Sequence, residues 1–390
     1  MDSSKTLTLD SSNLFLTAQT SFFRQPPPPL SFSAFPAAFP QSKLIPKTHF
    51  VVDAFRYAGD HSVSYFLSHF HSDHYIGLSP NWSKGVVFCS QTTAKLLIKV
   101  LKVPSQFIVP LVLSEPIMID ECQVVLIDAN HCPGVVQFFF KIPGSNGKFK
   151  KYVHTGDFRF CDSMKSNPFL CKFVGTNAIF LDTTYCNPKF VFSSQEESID
   201  YIVSIIEKIG GEYDGSMRNV LFLVATYVVG KEKILLEIAR KCNRKVPNFV
   251  KVKEIMVEKG YTRAVGFVPT GWTYEVKCNN FSVRTKDSFE IHLVPYSEYS
   301  NYIELGEPVK FLKPKRFVPT LGLDVEKLDS KHVDKMKKHF ARLVDEMANK
   351  QEFLKGFHRG CDGVGEMVEK DSGNATSQGL CYYLHYPFLL

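Results

Sequence analysis

The segment SHFHSDHYIGL at residues 68–78 most constrains what this chain can fold into. It places His69, His71, Asp73 and His74 within six positions. Crowded imidazoles repel one another once protonated, but neutral imidazole and carboxylate can share a cation and are the usual zinc ligands. If His69 and His71 leave a strand end, the two-residue period of a strand puts both rings on one face. The pattern predicts a metal site, and the alternative is a polar loop with coincidental histidines.

Two further candidate ligands follow later strands. His131 in DANHCPG comes directly after an apolar strand, and Asp157 in HTGDFR follows the strand KYV. Because ligands gather where strands end, both side chains can converge with the histidine segment on one edge of a sheet. Asp53 ends the first strand of the pattern, VVDAF, where we expect it to orient a ligand histidine through a hydrogen bond.

The periodicity of the chain predicts a layered α/β protein. Between about residues 50 and 160, short apolar runs alternate with turn signals, which indicates many strands. After Asp182, segments such as NVLFLVATY followed by GKEKILLEIARKC are typical of strand–helix units in a parallel sheet. We expect stacked sheets with helices outside. Residues 1–42 and 351–390 lack periodicity and predict a disordered leader and a loose tail.

Charge and cysteine usage narrow the class of protein. The net charge of +7 mildly favours a polyanionic partner. Ten cysteines without a CxxC pair, in a chain of 390 residues, indicate reduced thiols and a cytosolic or nuclear location. No apolar run approaches the ~20 residues of a membrane span, so we expect no membrane insertion. The hydroxyl-rich leader also fits a plastid transit peptide. The plastid is therefore the alternative location to the nucleus.

The order of the motifs carries a family resemblance. VVDAF, SHFHSDH, NHCPG and HTGDFR closely resemble the metallo-β-lactamase fold. The continuation, with LDTTYCNPKF, TYVVGKEK, FVPTGWTY, VPYSEYSNY and FLKPKRFVPT, resembles its nucleic-acid-processing branch, which carries a β-CASP insertion. Within that branch the chain is most similar to the SNM1/Pso2 DNA cross-link repair nucleases, over about residues 45–345.

This resemblance implies a fold and its boundaries. The fold would be a metallo-β-lactamase αββα sandwich with an inserted, shortened β-CASP α/β domain. The core would cover residues 43–181 and the inserted region residues 182–294. Residues 295–350 would return to the core and end in a helix.

The resemblance also implies roles for individual residues. Three histidines would hold a first zinc ion: His69, His71 and His131. Asp73 and His74 would hold a second ion, with Asp157 bridging the two, and these three residues would carry the catalysis. Asp182 matches the acidic residue that opens the β-CASP region and would support the ligands from behind. The segments expected beside the phosphate of a DNA terminus contribute Thr226, Gly230, Lys231, Thr270 and Gly271.

Three features depart from the family pattern. Tyr299 stands where the family has a histidine that completes the second metal site, and neutral tyrosine, with a pKa near 10, is a poor ligand. Val228 stands where the family usually has a phosphate-binding serine. The stretch between residues 242 and 270 is markedly shorter than in the family, which fits either true divergence or an error in the gene model.

The function implied is that of a zinc-dependent DNA nuclease. We expect a 5′-to-3′ exonuclease that hydrolyses phosphodiesters of single-stranded or 5′-ended DNA in cross-link or damage repair, in the nucleus and alongside repair proteins. One alternative is a catalytically weakened paralogue that binds DNA or repair partners without cutting. Others are an RNA-processing β-CASP nuclease and a small-molecule hydrolase on the same fold.

Overall fold

The computed structural model describes residues 6–27, 29–144, 147–211, 220–242, 260–271, 281–320, 336 and 338–344. The strands are β1 Thr8–Leu9, β2 Phe50–Val52, β3 Ser64–Phe66, β4 Val86–Ser90, β5 Ile108–Leu111, β6 Ile117–Ile119, β7 Cys122–Asp128, β8 Val136–Pro143, β9 Phe149–His154, β10 Ala178–Asp182, β11 Val220–Val224, β12 Arg263–Pro269, β13 Ser282–Lys286, β14 Phe289–Val294 and β15 Phe317–Thr320. The α-helices are α1 Ser11–Phe23, α2 Ser72–Tyr75, α3 Gln91–Lys99, α4 Pro168–Lys172, α5 Gln195–Gly211, α6 Glu232–Lys241 and α7 Tyr302–Leu312. Across these ranges, no helix is long and apolar enough to cross a bilayer.

Two sheets stack face to face and form the main body. One has seven strands in the order β1-β6-β7-β8-β9-β10-β15, and the other has four parallel strands in the order β2-β3-β4-β5. Phenylalanine rings fill the space between them: Phe66 of the smaller sheet lies 5.4 Å from Phe138 and 5.2 Å from Phe140 of the larger one, between ring centroids. Such interdigitation of large apolar side chains is the main stabilising contribution to a sheet sandwich.

The larger sheet is covered on both faces, and the alternation along β7 shows why. Val124 and Leu126 face the core between the sheets, whereas Val125 and Ile127 face a second core that is closed by α4 and α7. A two-residue period with apolar side chains on both faces requires a layer on each side. On the smaller sheet, α3 packs against β4 and β5, so each sheet has its own helices, which confirms the predicted αββα sandwich.

A third sheet is inserted between two neighbouring strands of the larger one. Its order is β11-β12-β14-β13, and α5 and α6 pack on it with apolar residues at helical spacing, such as Ile202 and Ile206, and Ile234 and Ile238. The chain leaves the larger sheet after β10 and returns as β15, which pairs in parallel with β10. Of the region expected to be shortened, residues 243–259 lie outside the described residues, as do residues 345–390 with the predicted tail.

The prediction of a disordered leader over residues 1–42 is wrong for the part that the structure describes. Strand β1 pairs in parallel with β6, and α1 begins after Asp10, whose carboxylate caps the helix. The backbone N–H of Ser11 donates to Asp120 Oδ1 at 2.8 Å, and Phe15 is buried against Phe107. The serine- and threonine-rich composition indicated disorder. The segment instead forms a capped helix, and its apolar residues at helical spacing bury one face.

Replacing Phe15 tests whether α1 belongs to the core. Phe15 is 5% exposed, so we expect Phe15→Ala to lower the free energy of unfolding by about 3 kcal/mol. Phe23 lies on the same helix but is 53% exposed, so Phe23→Ala is the matched control and should cost less than about 1 kcal/mol. Urea unfolding followed by fluorescence measures both. Equal, small effects of the two changes would contradict the docking of α1.

Candidate metal centre

Strand β3 and the short helix α2 present the histidine segment at one edge of the sandwich. His69 follows the end of β3 and is fully buried, and His74 is buried within α2. His71 is partly exposed at the start of α2, and the side chain of Asp73 is 46% exposed. His131 follows β7 and Asp157 follows β9, so the ends of strands from both sheets meet here.

Three imidazole nitrogens converge on one point. His69 Nε2 lies 2.9 Å from His71 Nδ1, and His131 Nε2 lies 3.3 Å from the same His71 atom. Around a tetrahedral zinc ion with Zn–N bonds of about 2.0–2.1 Å, ligand nitrogens are separated by roughly 3.3 Å. These three nitrogens therefore fit the first coordination shell of one ion.

The outer ring nitrogens of these histidines are engaged elsewhere, which leaves the inner ones available. Their partners are Ser68 Oγ, 2.9 Å from His69 Nδ1; the Val229 carbonyl, 2.8 Å from His71 Nε2; and the Glu298 carbonyl, 2.9 Å from His131 Nδ1. A carbonyl can only accept, so His71 Nε2 and His131 Nδ1 carry protons and their inner nitrogens keep the lone pairs. The role of these two carbonyls could not be predicted from the sequence, because every residue has a backbone carbonyl.

Asp157 lies at the junction between this cluster and His74. Its Oδ2 atom is 3.2 Å from His74 Nε2, 3.7 Å from His69 Nε2 and 3.9 Å from His131 Nε2. Asp73 Oδ2 lies 3.5 Å from His74 Nε2. Within the described part of the chain, His74 Nε2 is buried without a hydrogen bond of acceptable geometry. A buried nitrogen that faces two carboxylates in this way suits a bound cation.

The charges at the site divide the histidines into two kinds. Burial and the neighbouring imidazoles lower the pKa of His69, and burial lowers that of His131 to about 4. Burial also acts to lower the pKa of His74, but the carboxylates of Asp157, Asp73 and Asp53 outweigh it and raise that pKa well above its usual value. The pKa of Asp157 is held well below its usual value because His74 outweighs the effect of burial.

Asp53 holds the histidine segment from behind. Its Oδ2 lies 2.8 Å from His74 Nδ1, and its carboxylate also accepts hydrogen bonds from the backbone N–H and the hydroxyl of Ser68 at 2.8 and 2.7 Å. The backbone φ of Asp53 is +50°, a left-handed conformation that aims this side chain. Lys43, which sequence reasoning missed, donates to the Asp53 carbonyl at 2.6 Å.

Asp182 supports the loop that carries Asp157. It accepts hydrogen bonds from Thr184 and, at 3.4 Å, from the backbone N–H of Phe158. Burial and the charge of Asp157 raise the pKa of Asp182 to about 7. Asp182 thus acts on the backbone next to Asp157.

Tyr299 reaches the carboxylate at the centre of the site. Its hydroxyl donates to Asp157 Oδ2 at 3.0 Å, and its ring lies 4.5 Å from that of His131. Burial and the charge of Asp157 raise the pKa of Tyr299 well above its usual value, so the phenol is neutral. The neutral hydroxyl of Tyr299 therefore donates to one lone pair of Asp157. At this position the family resemblance implied a histidine that would bind metal.

The residues expected beside a phosphate are only partly brought together. Lys231, 7% exposed, donates through its ammonium to the Pro269 carbonyl, next to Thr270 and Gly271, and that ammonium lies 4.2 Å from the ring centre of Tyr227. Burial lowers the pKa of Lys231 to about 8. Gly230 is buried beside Lys231, and Gly271 packs against Tyr185. Thr226 is half-buried after β11, and Val228 is 98% exposed.

Cys132 is a further side chain near the histidines that sequence reasoning did not single out. Its sulfur groups with nitrogens of His69, His71 and His131, all within 4.8 Å of one another. Burial raises the pKa of this thiol above its usual range. In the metal-free protein this thiol is therefore neutral.

Comparison with known proteins identifies the family. The model of the family "DNA repair metallo-beta-lactamase" matches residues 237–324. The chain is 34% identical over 332 residues to the DNA cross-link repair protein SNM1 of Arabidopsis thaliana, covering 74% of this chain and 67% of that protein. The chain belongs to the SNM1 family of DNA repair metallo-β-lactamases.

Other relatives of this SNM1-family chain include a DNA ligase and a 5′ exonuclease. It is 55% identical over 405 residues to DNA ligase 6 of Arabidopsis thaliana, covering 92% of this chain and 28% of that protein. It is 32% identical over 308 residues to 5′ exonuclease Apollo of Gallus gallus, covering 72% of this chain and 64% of that protein. The chain thus spans between about a quarter and two thirds of the length of these relatives.

The raised pKa of His74 predicts proton release on metal binding. Below that pKa, His74 is protonated in the metal-free protein, so an ion that uses Nε2 must expel about one proton. His69 and His131 are already neutral at pH 7, so neither releases a proton. The affinity of the site containing His74 should fall about tenfold per pH unit as pH drops below this pKa.

Calorimetric titration with Zn²⁺ in two buffers of different ionisation enthalpy measures the protons released per ion. The variant His74→Gln should lose this release, while Zn²⁺ binding to the site formed by His69, His71 and His131 should persist. A release that persists unchanged in His74→Gln would contradict the assignment of the proton.

Proposed function

We propose that this chain is a zinc-dependent DNA nuclease, a 5′-to-3′ exonuclease that hydrolyses phosphodiesters in cross-link or damage repair. The observation that carries the proposal is the convergence of three imidazole nitrogens beside Asp157 and the His74 nitrogen that faces Asp157 and Asp73. The names of its relatives, a DNA cross-link repair protein and a 5′ exonuclease, support the substrate and the polarity. A DNA substrate favours action in the nucleus.

The proposed roles follow the geometry. His69, His71 and His131 would hold a first zinc ion, while Asp73 and His74 would hold a second, with Asp157 shared. Zinc, when bound, lowers the pKa of a coordinated water to about 7 and stabilises negative charge on phosphate oxygens. The chain itself contributes fixed imidazole tautomers, through the Val229 and Glu298 carbonyls, and the carboxylate of Asp53 behind His74.

We expect the two ions to bind unequally. The first site has three nitrogen ligands with their outer partners in place, whereas the second depends on Asp157, one of whose lone pairs accepts the hydrogen bond of Tyr299. Tyrosine at this position therefore weakens the second site relative to a histidine. The same hydrogen bond supports a second candidate function, a paralogue that binds DNA but cuts it slowly.

The phosphate at a 5′ end would bind beside the start of α6. The positive end of a helix dipole and a nearby ammonium favour an anion. Lys231, which precedes α6, supplies the ammonium, and Gly230, Thr226, Thr270 and Gly271 lie on the flanking segments. The Lys231 ammonium donates one of its three N–H groups to the Pro269 carbonyl, which leaves two for a phosphate.

Exchanging Tyr299 separates the two candidate functions. We expect Tyr299→His to increase Zn²⁺ stoichiometry towards two ions and to raise the rate on 5′-phosphorylated single-stranded DNA by about tenfold or more. Asp73→Ala should reduce the wild-type rate about 100-fold or more, because it removes a ligand of the second ion. Metal analysis and gel-resolved digestion measure both effects.

Tyr302→His is the matched control, since Tyr302 is three positions away and contacts His339 instead of the metal cluster. It should change neither stoichiometry nor rate. An inactive wild type together with an active Tyr299→His would favour the DNA-binding paralogue. Absence of Zn²⁺ from every variant would remove the basis for both candidates.

Lys231→Met tests the proposed phosphate site. Its loss should reduce the preference for 5′-phosphate over 5′-hydroxyl ends by about tenfold, which corresponds to a single charge-assisted hydrogen bond. Lys233, two positions away on the exposed side of α6, contacts Gln195, so Lys233→Met is the control. Competition between the two labelled substrates measures the ratio. An unchanged ratio in Lys231→Met would exclude this lysine from phosphate recognition.

A further inference from the structure

The loop at residues 297–299 lies between the metal cluster and the inserted region. Its central residue, Glu298, is 7% exposed. The backbone carbonyl of Glu298 accepts a hydrogen bond from His131 Nδ1 at 2.9 Å. Since His131 turns its other nitrogen towards the cluster, this bond determines which nitrogen carries the lone pair. The main chain of Glu298 thus orients one proposed ligand.

The side chain of Glu298 contacts the inserted region. Its Oε1 atom accepts a hydrogen bond from the backbone N–H of Lys231 at 2.5 Å. Gly230 has a φ of +126° and approaches so closely that a Cβ there would lie 3.0 Å from Glu298 Oε2. Loss of this buried acceptor would leave the Lys231 N–H unpaired, so the hydrogen bond holds the Gly230–Lys231 turn against the loop.

The same turn orients a second proposed ligand. Val229 directly precedes Gly230, and its carbonyl accepts the hydrogen bond from His71 Nε2 at 2.8 Å. One carboxylate therefore joins the two segments whose carbonyls orient His71 and His131. We propose that Glu298 is a positioning residue that couples the inserted region to the first metal site. Without its carboxylate, the Val229 carbonyl is no longer fixed, and the ring of His71 loses its orientation.

The expected loss of Zn²⁺ affinity can be taken from the behaviour of other metal sites. Removal of a group that orients a ligand typically costs 10–100-fold in metal affinity. The inference rests on the metal-binding part of the proposed function and does not require nuclease activity. It is therefore measured by metal binding, without a DNA substrate.

Three variants of the full chain test the coupling. Glu298→Ala removes the acceptor, Glu298→Gln keeps an oxygen that can accept from the Lys231 N–H, and Glu237→Ala removes a partly exposed carboxylate of α6 that pairs with Arg240. The Zn²⁺ dissociation constant of the tighter site is measured by competition with a chromophoric chelator. The Co²⁺ absorption spectrum reports ligand geometry, and circular dichroism reports folding.

We expect Glu298→Ala to weaken Zn²⁺ binding 10–100-fold and to change the Co²⁺ spectrum. Glu298→Gln should recover most of the affinity, and Glu237→Ala should match the wild type. If Glu298→Ala does not fold, Gly230→Ala disturbs the same contact from the other side and should weaken binding likewise. Wild-type affinity and spectrum in the folded Glu298 or Gly230 variants would overturn the coupling.

A double-mutant cycle with His71→Ala identifies the route. If Glu298 acts through His71, Glu298→Ala should cost little further affinity once His71 is removed. An equal loss in both backgrounds would overturn the route through His71. Failure of the wild type to bind Zn²⁺ would contradict the metal assignment itself, whereas normal binding by folded Glu298→Ala contradicts only the coupling.

Discussion

The carboxylate of Asp157 is the centre on which the site depends. Three imidazole nitrogens lie within 3.9 Å of its Oδ2 atom, and the hydroxyl of Tyr299 donates to the same oxygen. Buried charge is costly unless it is paired, and here the carboxylate and the imidazolium of His74 compensate each other. Metal ions would replace that pairing with coordination bonds. The two stacked sheets determine this arrangement, because strand ends from both bring the proposed ligands to one edge.

Sequence alone could predict the parts of this site that reside in side chains at strand ends. His69, His71 and Asp157 come together in the structure because strand geometry leaves few alternatives, although their roles as ligands stay predictions. The carbonyls of Val229 and Glu298 could not be predicted, since every residue has one and only tertiary packing selects which is used. The hydrogen bond from Tyr299 to Asp157 was likewise invisible: the sequence showed a tyrosine where a ligand was expected, but not where its hydroxyl would lie.

In the fold, too, the features that depend on local periodicity could be predicted, whereas those that depend on tertiary contacts could not. The layered order of strands and helices followed from periodicity, and the αββα sandwich was predicted. The leader was not, because its hydroxyl-rich composition resembles disorder, and what orders it is remote: β6 supplies a strand edge, Asp120 an acceptor and Phe107 an aromatic partner. Whether such a segment becomes ordered depends on the distant surface that it packs against. The composition of the segment itself does not show that surface.

The pairing of β10 with β15 has a consequence for how this chain folds. These neighbours in one sheet are joined through the whole inserted region, so the larger sheet acquires its last strand only after residues beyond 316 have left the ribosome. Contacts between such distant segments form slowly, because closing a long loop costs conformational entropy before the contacts can stabilise the chain. Until then the edge of β10 and the apolar face that α7 covers are exposed, and such surfaces bind other chains. During synthesis, residues 68–157 leave the ribosome well before the larger sheet can be completed, and in this interval the chain is most open to association with other chains.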